Sequence, residues 1–409
     1  MMFFKESLTW MVCLCFLLTS CVTPGQSSKV GPSFSSKLVK KIEQNAAITN
    51  VKLDIIIPAF DPGIPEDEEE QTEKLIWPEL RRAEANRFAL KLKEELENTG
   101  AFGAVRVTPD ASATGDLYLI GKIVESNGLE VGFDLEVVDI TGQRWYTEQY
   151  EHEVAVKYHK NTRNKGKDPY QPVFKEAATD LVEFLKEQGE TELALLQSVT
   201  EMRFGANFSE DAFSEHLEEN ANGYKLISLP SDTDPMLQRI RSIRIRDQLY
   251  VDNFQAHYEE FDAKMAESYA AWQAQSLEEA KALKAAESAR TGKVVAGVLA
   301  FALMVGLAAA SGNSSSSGRS SAASAGAIVA GVGGVALIAS SFRSSKEAEF
   351  HRETLEEIGE SINIDLGPQV VEFEGKTKEI SGDAAEQFSE WRAFLKEIYD
   401  QEKTPEKQL

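Results

Sequence analysis

The pattern of apolar and polar positions breaks sharply at one place in this chain. Between Val294 and Phe342 there is one charged side chain, Arg319, whereas charged and apolar residues are interspersed through most of the remainder. Two apolar runs, 294–310 and 326–342, flank a polar loop, 311–325. This pattern predicts a helical hairpin built to enter a membrane or to fill a dry protein interior. The first run, about 17 residues, would span roughly 26 Å as a helix, near the lower limit for crossing a bilayer.

The rest of the chain reads as ordinary folded protein. Residues 51–60 are rich in Ile and predict a buried strand, ended by Pro58 and Asp61-Pro62-Gly63. An acidic loop, 66–70, leads to a helix over 78–98. Leu80, Ala83, Phe88, Leu92 and Leu96 share its apolar face, and Gly100 stops it. A short strand over 102–107 precedes an antiparallel meander over 116–125, 131–140 and 144–154, with turns at Asn127-Gly128 and Thr141-Gly142. In its second strand Val131, Phe133, Leu135 and Val137 alternate with Gly132, Asp134 and Glu136, as in a sheet with one wet face. A Lys- and Asn-rich loop then leads to an amphipathic helix over 171–186.

Beyond it, 193–202 and 209–217 predict helices and 226–234 a loop. Asp234-Pro235 suits an N-cap followed by proline at the first helical position. From Asp247 to Arg290 there is no Pro or Gly. Phe254, Tyr258, Phe261, Met265, Ser268 and Trp272 repeat there with heptad spacing, a seam that predicts a rod of roughly 65 Å. Two readings of the seam stand together: packing on the chain's own helices, or packing between protomers. After the hairpin, a helix over 344–358, strands over 362–366 and 370–374, and a final helix over 384–399 complete the chain.

The fold class predicted is α+β: a small mixed-sheet α/β domain, a long helical rod with an apolar Gly-rich helical hairpin, and a small C-terminal α/β element. The predicted boundaries are 1–20 (signal peptide), 21–50 (tether), 51–188 (α/β domain), 189–246 (helical connector), 247–290 (long helix), 291–345 (hairpin) and 346–409 (return helix and C-terminal element).

Charge and cysteines narrow the function. A formal net charge of -23 over 409 residues argues against nucleic acid as a partner, because phosphates would be repelled. All three cysteines, Cys13, Cys15 and Cys21, fall near the N-terminus. Lys5 followed by an apolar core over 8–18 has the form of a secretory signal. The run Leu18-Thr19-Ser20-Cys21 resembles a bacterial lipobox, which implies lipidation of Cys21 after cleavage before it. A Ser-, Gly- and Pro-rich tether follows. Resemblance to bacterial lipoproteins further implies that Val22, in place of Asp, directs the chain to the outer membrane with its body in the periplasm. Each buried acyl methylene stabilises such an anchor by about 0.8 kcal/mol.

A second resemblance covers residues 51–187. The run Val51-Lys-Leu-Asp-Ile-Ile-Ile-Pro-Ala-Phe60, the helix ending Leu-Lys-Glu-Glu-Leu-Glu-Asn-Thr-Gly100, Phe102-Gly-Ala-Val105, Gly115-Asp-Leu-Tyr-Leu-Ile-Gly-Lys122 and Phe133-Asp-Leu-Glu-Val-Val-Asp-Ile-Thr-Gly142 carry it. Together they resemble the α/β domain shared by the TolB amino-terminal domain and the curli-secretion lipoprotein family. That group includes outer-membrane lipoproteins of secretion and envelope assemblies, some of them rings. The resemblance implies no catalytic motif. The alternating membrane hairpins of the curli-secretion type are not present in this sequence.

Inside the hairpin, Gly297 and Gly306 lie in the first run. Gly326, Ala330 and Gly334 are spaced by four in the second, with Gly331 and Gly333 beside them. Small residues at this spacing let helices approach closely in lipid, and the segment resembles the glycine zippers of some envelope lipoproteins. Three readings stay open: a membrane-inserted hairpin, a soluble hairpin buried in an oligomer, and a disordered insert, which the Val, Leu and Ile content disfavours. Arg290, Lys293, Arg343 and Lys346 flank the hairpin. For insertion in an inner membrane from the periplasm they oppose the positive-inside bias; the outer membrane avoids that conflict.

Chemistry is sparse. His152, His159, His216, His257 and His351 have no partner at metal-ligand spacing. There is no phosphate-binding glycine loop and no nucleophile elbow. The basic cluster Arg239, Arg241, Arg244 and Arg246 reads first as salt-bridged to neighbouring acids, and second as a subunit or lipid-phosphate contact. The expectation is a non-enzymatic lipoprotein without cofactor or metal. It would touch membrane lipid through Cys21 and the hairpin and self-associate into a ring or pore-like assembly. The alternative is an accessory lipoprotein that recruits an envelope protein partner.

Overall fold

A computed structural model describes residues 50–73, 76–221, 223–290, 346–373 and 375–401. All belong to the second of two units of the chain, Gln44–Leu409.

The first strand, β1 (Ile55–Pro58), is buried on both faces. The acidic stretch expected as loop contains a short helix, α1 (Glu68–Glu73), with three acids in its first turn, where the helix dipole favours them. Helix α2 (Pro78–Thr99) starts with proline in its first turn and ends at Gly100, whose left-handed backbone (φ 64°) returns its N–H to Glu97 O. Strand β2 (Val105–Thr108) lies parallel to β1. On the other side of β1, β3 (Leu117–Ser126) is also parallel to it, and β4 (Glu130–Asp139) and β5 (Arg144–Glu153) continue antiparallel. The sheet order is β2-β1-β3-β4-β5.

Both predicted turns form. Asn127 Oδ1 accepts from Leu129 N and Glu130 N, at 2.9 and 2.8 Å. Asp139 Oδ1 accepts from Thr141 N at 2.8 Å. Val131, Phe133, Leu135 and Val137 all face the core. There Phe133 stacks on Phe174 of α3 (Gln171–Glu187) with ring centres 5.5 Å apart, and Phe88 of α2 meets Phe174 edge-on at 5.1 Å.

Helix α4 (Glu190–Phe208) is tied to the sheet by Thr200, whose hydroxyl donates to Asp116 Oδ1 at 2.6 Å. The helix expected over 209–217 is instead a four-residue helix, α5 (Glu210–Phe213), a 3-10 turn and β6 (Leu217–Asn220), which pairs with β7 (Gly223–Leu226).

Helix α6 runs from Pro235 to Arg290, 56 residues, so it begins well before Asp247. Asp234 caps it, accepting from Met236 N at 2.7 Å and Leu237 N at 3.2 Å. From Leu237 to Lys284 its contacts lie along the body. Leu237, Ile240 and Ile243 are buried near its start; further along, Tyr250 stacks on Trp391 and Tyr269 meets Tyr170. At Gly128, in the β3–β4 turn, an added Cβ would lie 2.6 Å from Ser276 and 2.7 Å from Leu277 N of α6, and φ there is +85°. Only glycine suits that contact.

Helix α7 (Lys346–Ile358) returns beside α6. Its close seat depends on Gly359, where a Cβ would stand 1.9 Å from Glu79 O. The two short strands expected next are one strand, β8 (Asp365–Phe373), with an irregularity between Leu366 and Gln369, near the predicted break at Gly367-Pro368. It pairs with a strand the pattern did not predict, β9 (Lys376–Asp383). Asp383 and Glu386 then form a reciprocal capping box, at 2.9 and 3.2 Å, for α8 (Ala384–Gln401). One hydrophobic cluster extends from Leu53 to Tyr399.

Candidate functional site

The chemically most unusual group in the structure is Glu84. Its position on α2, beside Ala83 and Ala85, carries it into the space between the sheet and α6, where it is fully buried. Its Oε1 accepts from Ser126 Oγ of β3 at 2.6 Å and from Tyr269 Oη of α6 at 2.7 Å. Its Oε2 lies 3.5 Å from Arg81 Nε, and among the described residues neither Oε2 nor Arg81 Nη1 has a hydrogen-bond partner. Burial pushes the Glu84 carboxyl up to about 6, against the opposing pull of Arg81 and the two hydroxyl donors.

The polar groups around it continue the join. Tyr170 Oη accepts from Gly128 N at 2.7 Å. Arg87 of α2 reaches Asp168 at 2.6 Å and pairs with Asp262 of α6, with its guanidinium 4.6 Å from the Tyr269 ring centre. Lys91 also binds Asp262, at 3.0 Å. This network fixes the axial position and rotation of α6 against the α/β body. Glu84, Tyr170 and Tyr269 are all fully buried, so these groups act on each other rather than on a substrate.

A second contact fixes α6 at the sheet edge. Among the described residues β2 has a neighbouring strand on one side, and Gln255 of α6 occupies the other, donating to Val107 O and accepting from Val107 N. The opposite edge differs. Strand β5 pairs with β4, and among the described residues nothing bonds the backbone groups of its outer side. A cleft of about 430 Å³ beside it is lined by Glu148, Gln149, Tyr150 and Glu151 of β5 and Glu176 and Asp180 of α3. Another cleft, about 310 Å³, contains Arg392, but that guanidinium is committed to Ser112 O, Thr114 Oγ1 and Asp247.

The seam residues Phe254, Tyr258, Met265 and Trp272 are buried in this chain's own core, and Phe261 packs against it in part. The four buried residues face this chain's own helices and sheet, so of the two readings of the seam they fit packing within the chain. In the basic cluster, Arg241 pairs with Glu201 at 2.6 Å and Asp232 at 3.2 Å, and Arg239 donates to Tyr399 O at 3.0 Å.

The histidines are dispersed. His216 meets Ser228 at 2.7 Å, His257 meets Gln369 at 3.3 Å, and His351 meets Ser268 at 3.0 Å. Burial lowers the pKa of His152 and of His159. Among the described residues no group of three or more His, Cys, Asp or Glu is placed to hold a metal ion, and no helix is long and apolar enough to cross a membrane. Leu18, Thr19, Ser20, Cys21 and Val22 lie outside the described residues, as do Gly297, Gly306, Gly326, Ala330, Gly331, Gly333 and Gly334.

Sequence reasoning missed Glu84, Gln255 and the open edge of β5. A glutamate or glutamine within a polar-looking helix gives no local sign of burial. Comparison of the chain with protein-family models, curated proteins and solved structures finds no match.

Proposed function

We propose that this chain is an outer-membrane-anchored structural lipoprotein, lipidated at Cys21, whose copies associate into an envelope assembly with the α/β body in the periplasm. One observation carries the reading. Ser268 of α6 meets His351, and His257, earlier on α6, meets Gln369, later in the chain. The chain therefore departs along α6 and returns antiparallel beside it. Helix α7 lies antiparallel to α6 near Ser268, and α6 continues 22 residues further, to Arg290; an antiparallel exit and return supports a hairpin over 294–342. The network at Glu84 supports the same reading, because it holds α6 rigidly to the body. The resemblance to the TolB amino-terminal and curli-secretion lipoprotein domains adds to it.

Because the seam residues are spent inside the chain, association is assigned to 294–342 and to outer surfaces. Mass measurement of the full chain in mild detergent tests this. A multiple of the protomer mass is expected, and a strict monomer overturns it. A second reading, an accessory lipoprotein that recruits a protein partner, is favoured by the open acidic edge of β5.

A further inference from the structure

We propose that the outer edge of β5, with the cleft beside it, binds an extended segment of a partner protein carrying a lysine or arginine. The segment would pair backbone to backbone with β5 and place its cation beside Glu148, Glu176 and Asp180, on the face of the sheet that α3 covers. The inference does not depend on the lipid anchor or on self-association.

The two edges of the sheet are finished differently. At β2, Gln255 occupies both backbone groups of Val107. Strand β5, ten residues long, has no such cover among the described residues. It lacks proline and lysine, and the charges it carries, Arg144 with Glu148, Glu151 and Glu153, are mostly acidic, so they turn away an acidic strand rather than a basic one. An open row of donors and acceptors is a template for an added strand.

The cleft says which strand. Four carboxylates line it and no basic residue does. Glu148 has no ion pair among the described residues and shares the α3 face with Tyr150, opposite Leu135 and Phe133; Glu151, opposite Gly132, faces the other way. Tyr150 also lines the cleft, and it is 3 % exposed. Its hydroxyl is buried beside that of Tyr146. Burial and the nearby Asp180 and Glu148 push both tyrosines upward, and a cation held in the cleft would offset that crowded negative charge.

Other occupants fit less well. A second copy pairing through β5 would bring Glu148, Glu151 and Glu153 against their equivalents, on a chain of net charge -23; like charges across strands are destabilising. A metal ion lacks a ligand set there among the described residues. The basic loop after β5 is folded into its own turns, with Tyr158 N bonded to Ala155 O and Asn161 N to Tyr158 O, so it is not an extended donor.

The test uses the full chain in detergent and a synthetic peptide of alternating Lys and Val, about ten residues long, read by calorimetry or fluorescence anisotropy. Three comparisons decide. A peptide N-methylated at every residue should bind at least tenfold more weakly, because it cannot pair with β5. The same peptide with Glu in place of Lys should not bind. Glu148→Gln, at a surface position on the cleft side of β5, should weaken the Lys peptide at least threefold while leaving the melting temperature unchanged, and Glu151→Gln, on the opposite face, should weaken it less. Equal binding of the N-methylated peptide, or of spermidine at matched charge, would overturn strand addition in favour of a diffuse or small-cation site. No binding of the Lys peptide would overturn the proposal outright.

Discussion

Gln255 holds both backbone groups of Val107: its Oε1 accepts from Val107 N and its Nε2 donates to Val107 O, each at 2.9 Å. A single side chain thus stands in for a missing strand at the β2 edge. The same amide also donates to Val251 O, at 3.1 Å, which steadies its rotamer. Val107 is fully buried, so water does not readily replace the lost partner. Gln255→Leu should lower unfolding free energy by about 2–4 kcal/mol, since each buried polar group left unsatisfied costs about 1–3 kcal/mol. Urea unfolding followed by circular dichroism measures it. A loss below about 0.5 kcal/mol would mean that the edge is not sealed by this residue.

Glu84 gives a pH dependence of definite sign. Its carboxyl is raised from 4.5 to about 6 by burial, so the folded chain binds this proton more tightly than the unfolded chain. The stability it contributes is present below the unfolded value and is lost as pH rises through the folded one. The difference between the two values corresponds to about 2 kcal/mol. Other carboxylates titrate in the same range, so the useful quantity is wild type minus Glu84→Gln. That difference should fall by about 2 kcal/mol between pH 4 and pH 7.5. A difference that rises instead of falling would show that Arg81, 3.5 Å from Oε2, keeps the group ionised throughout, and a flat one that burial and Arg81 cancel.

Gly128 tests whether α6 is seated against the sheet. Alanine there meets both a left-handed backbone and contacts of 2.6 and 2.7 Å with Ser276 and Leu277. Gly128→Ala should cost about 1–3 kcal/mol, as overpacking does, and should raise hydrogen exchange around residues 269–280 above the rest of α6. An exchange increase confined to the β3–β4 turn would mean that the strain is local and the helix seat unaffected.

The α/β part of this fold was legible because its signals are local. The alternation Val131, Phe133, Leu135, Val137 names its own inward face, and Asn127-Gly128 and Gly100 mark a turn and a helix stop by backbone need alone. What was not legible depends on cover from afar. Helix α2 reads as having one apolar face, yet Arg81, Glu84, Asn86 and Arg87 are buried too, because α6 and α7 close over its polar side. Strand β9 reads as polar, with only Ile380 fully buried, so no alternation announces it. The seam of α6 was visible as a pattern, but a pattern of apolar positions does not say whose surface it meets. Only the placement of Tyr170, Phe388 and Trp391 beside it answers that.

The last prediction separates anchor from assembly. The two features assigned to the membrane, Cys21 and the segment 294–342, are far apart in sequence and can be removed independently. Cys21→Ser should abolish acyl labelling. If 294–342 inserts on its own, the variant should stay in the membrane fraction after a carbonate wash; release to the soluble fraction would show that the acyl chains alone hold the protein. Deleting 294–342 should leave acylation intact and reduce the particle in mild detergent to a protomer, since the seam residues of α6 are already buried within their own chain. The body should still fold, because the contacts that hold α7 to it, Ser268 with His351 and Gly359 against Glu79, lie outside the deleted residues. Gel filtration with light scattering, alongside circular dichroism, checks both halves. A deletion variant that keeps the full assembly size would move the interface to the outer faces of the α/β body, and so would sink the glycine-rich segment's role in association.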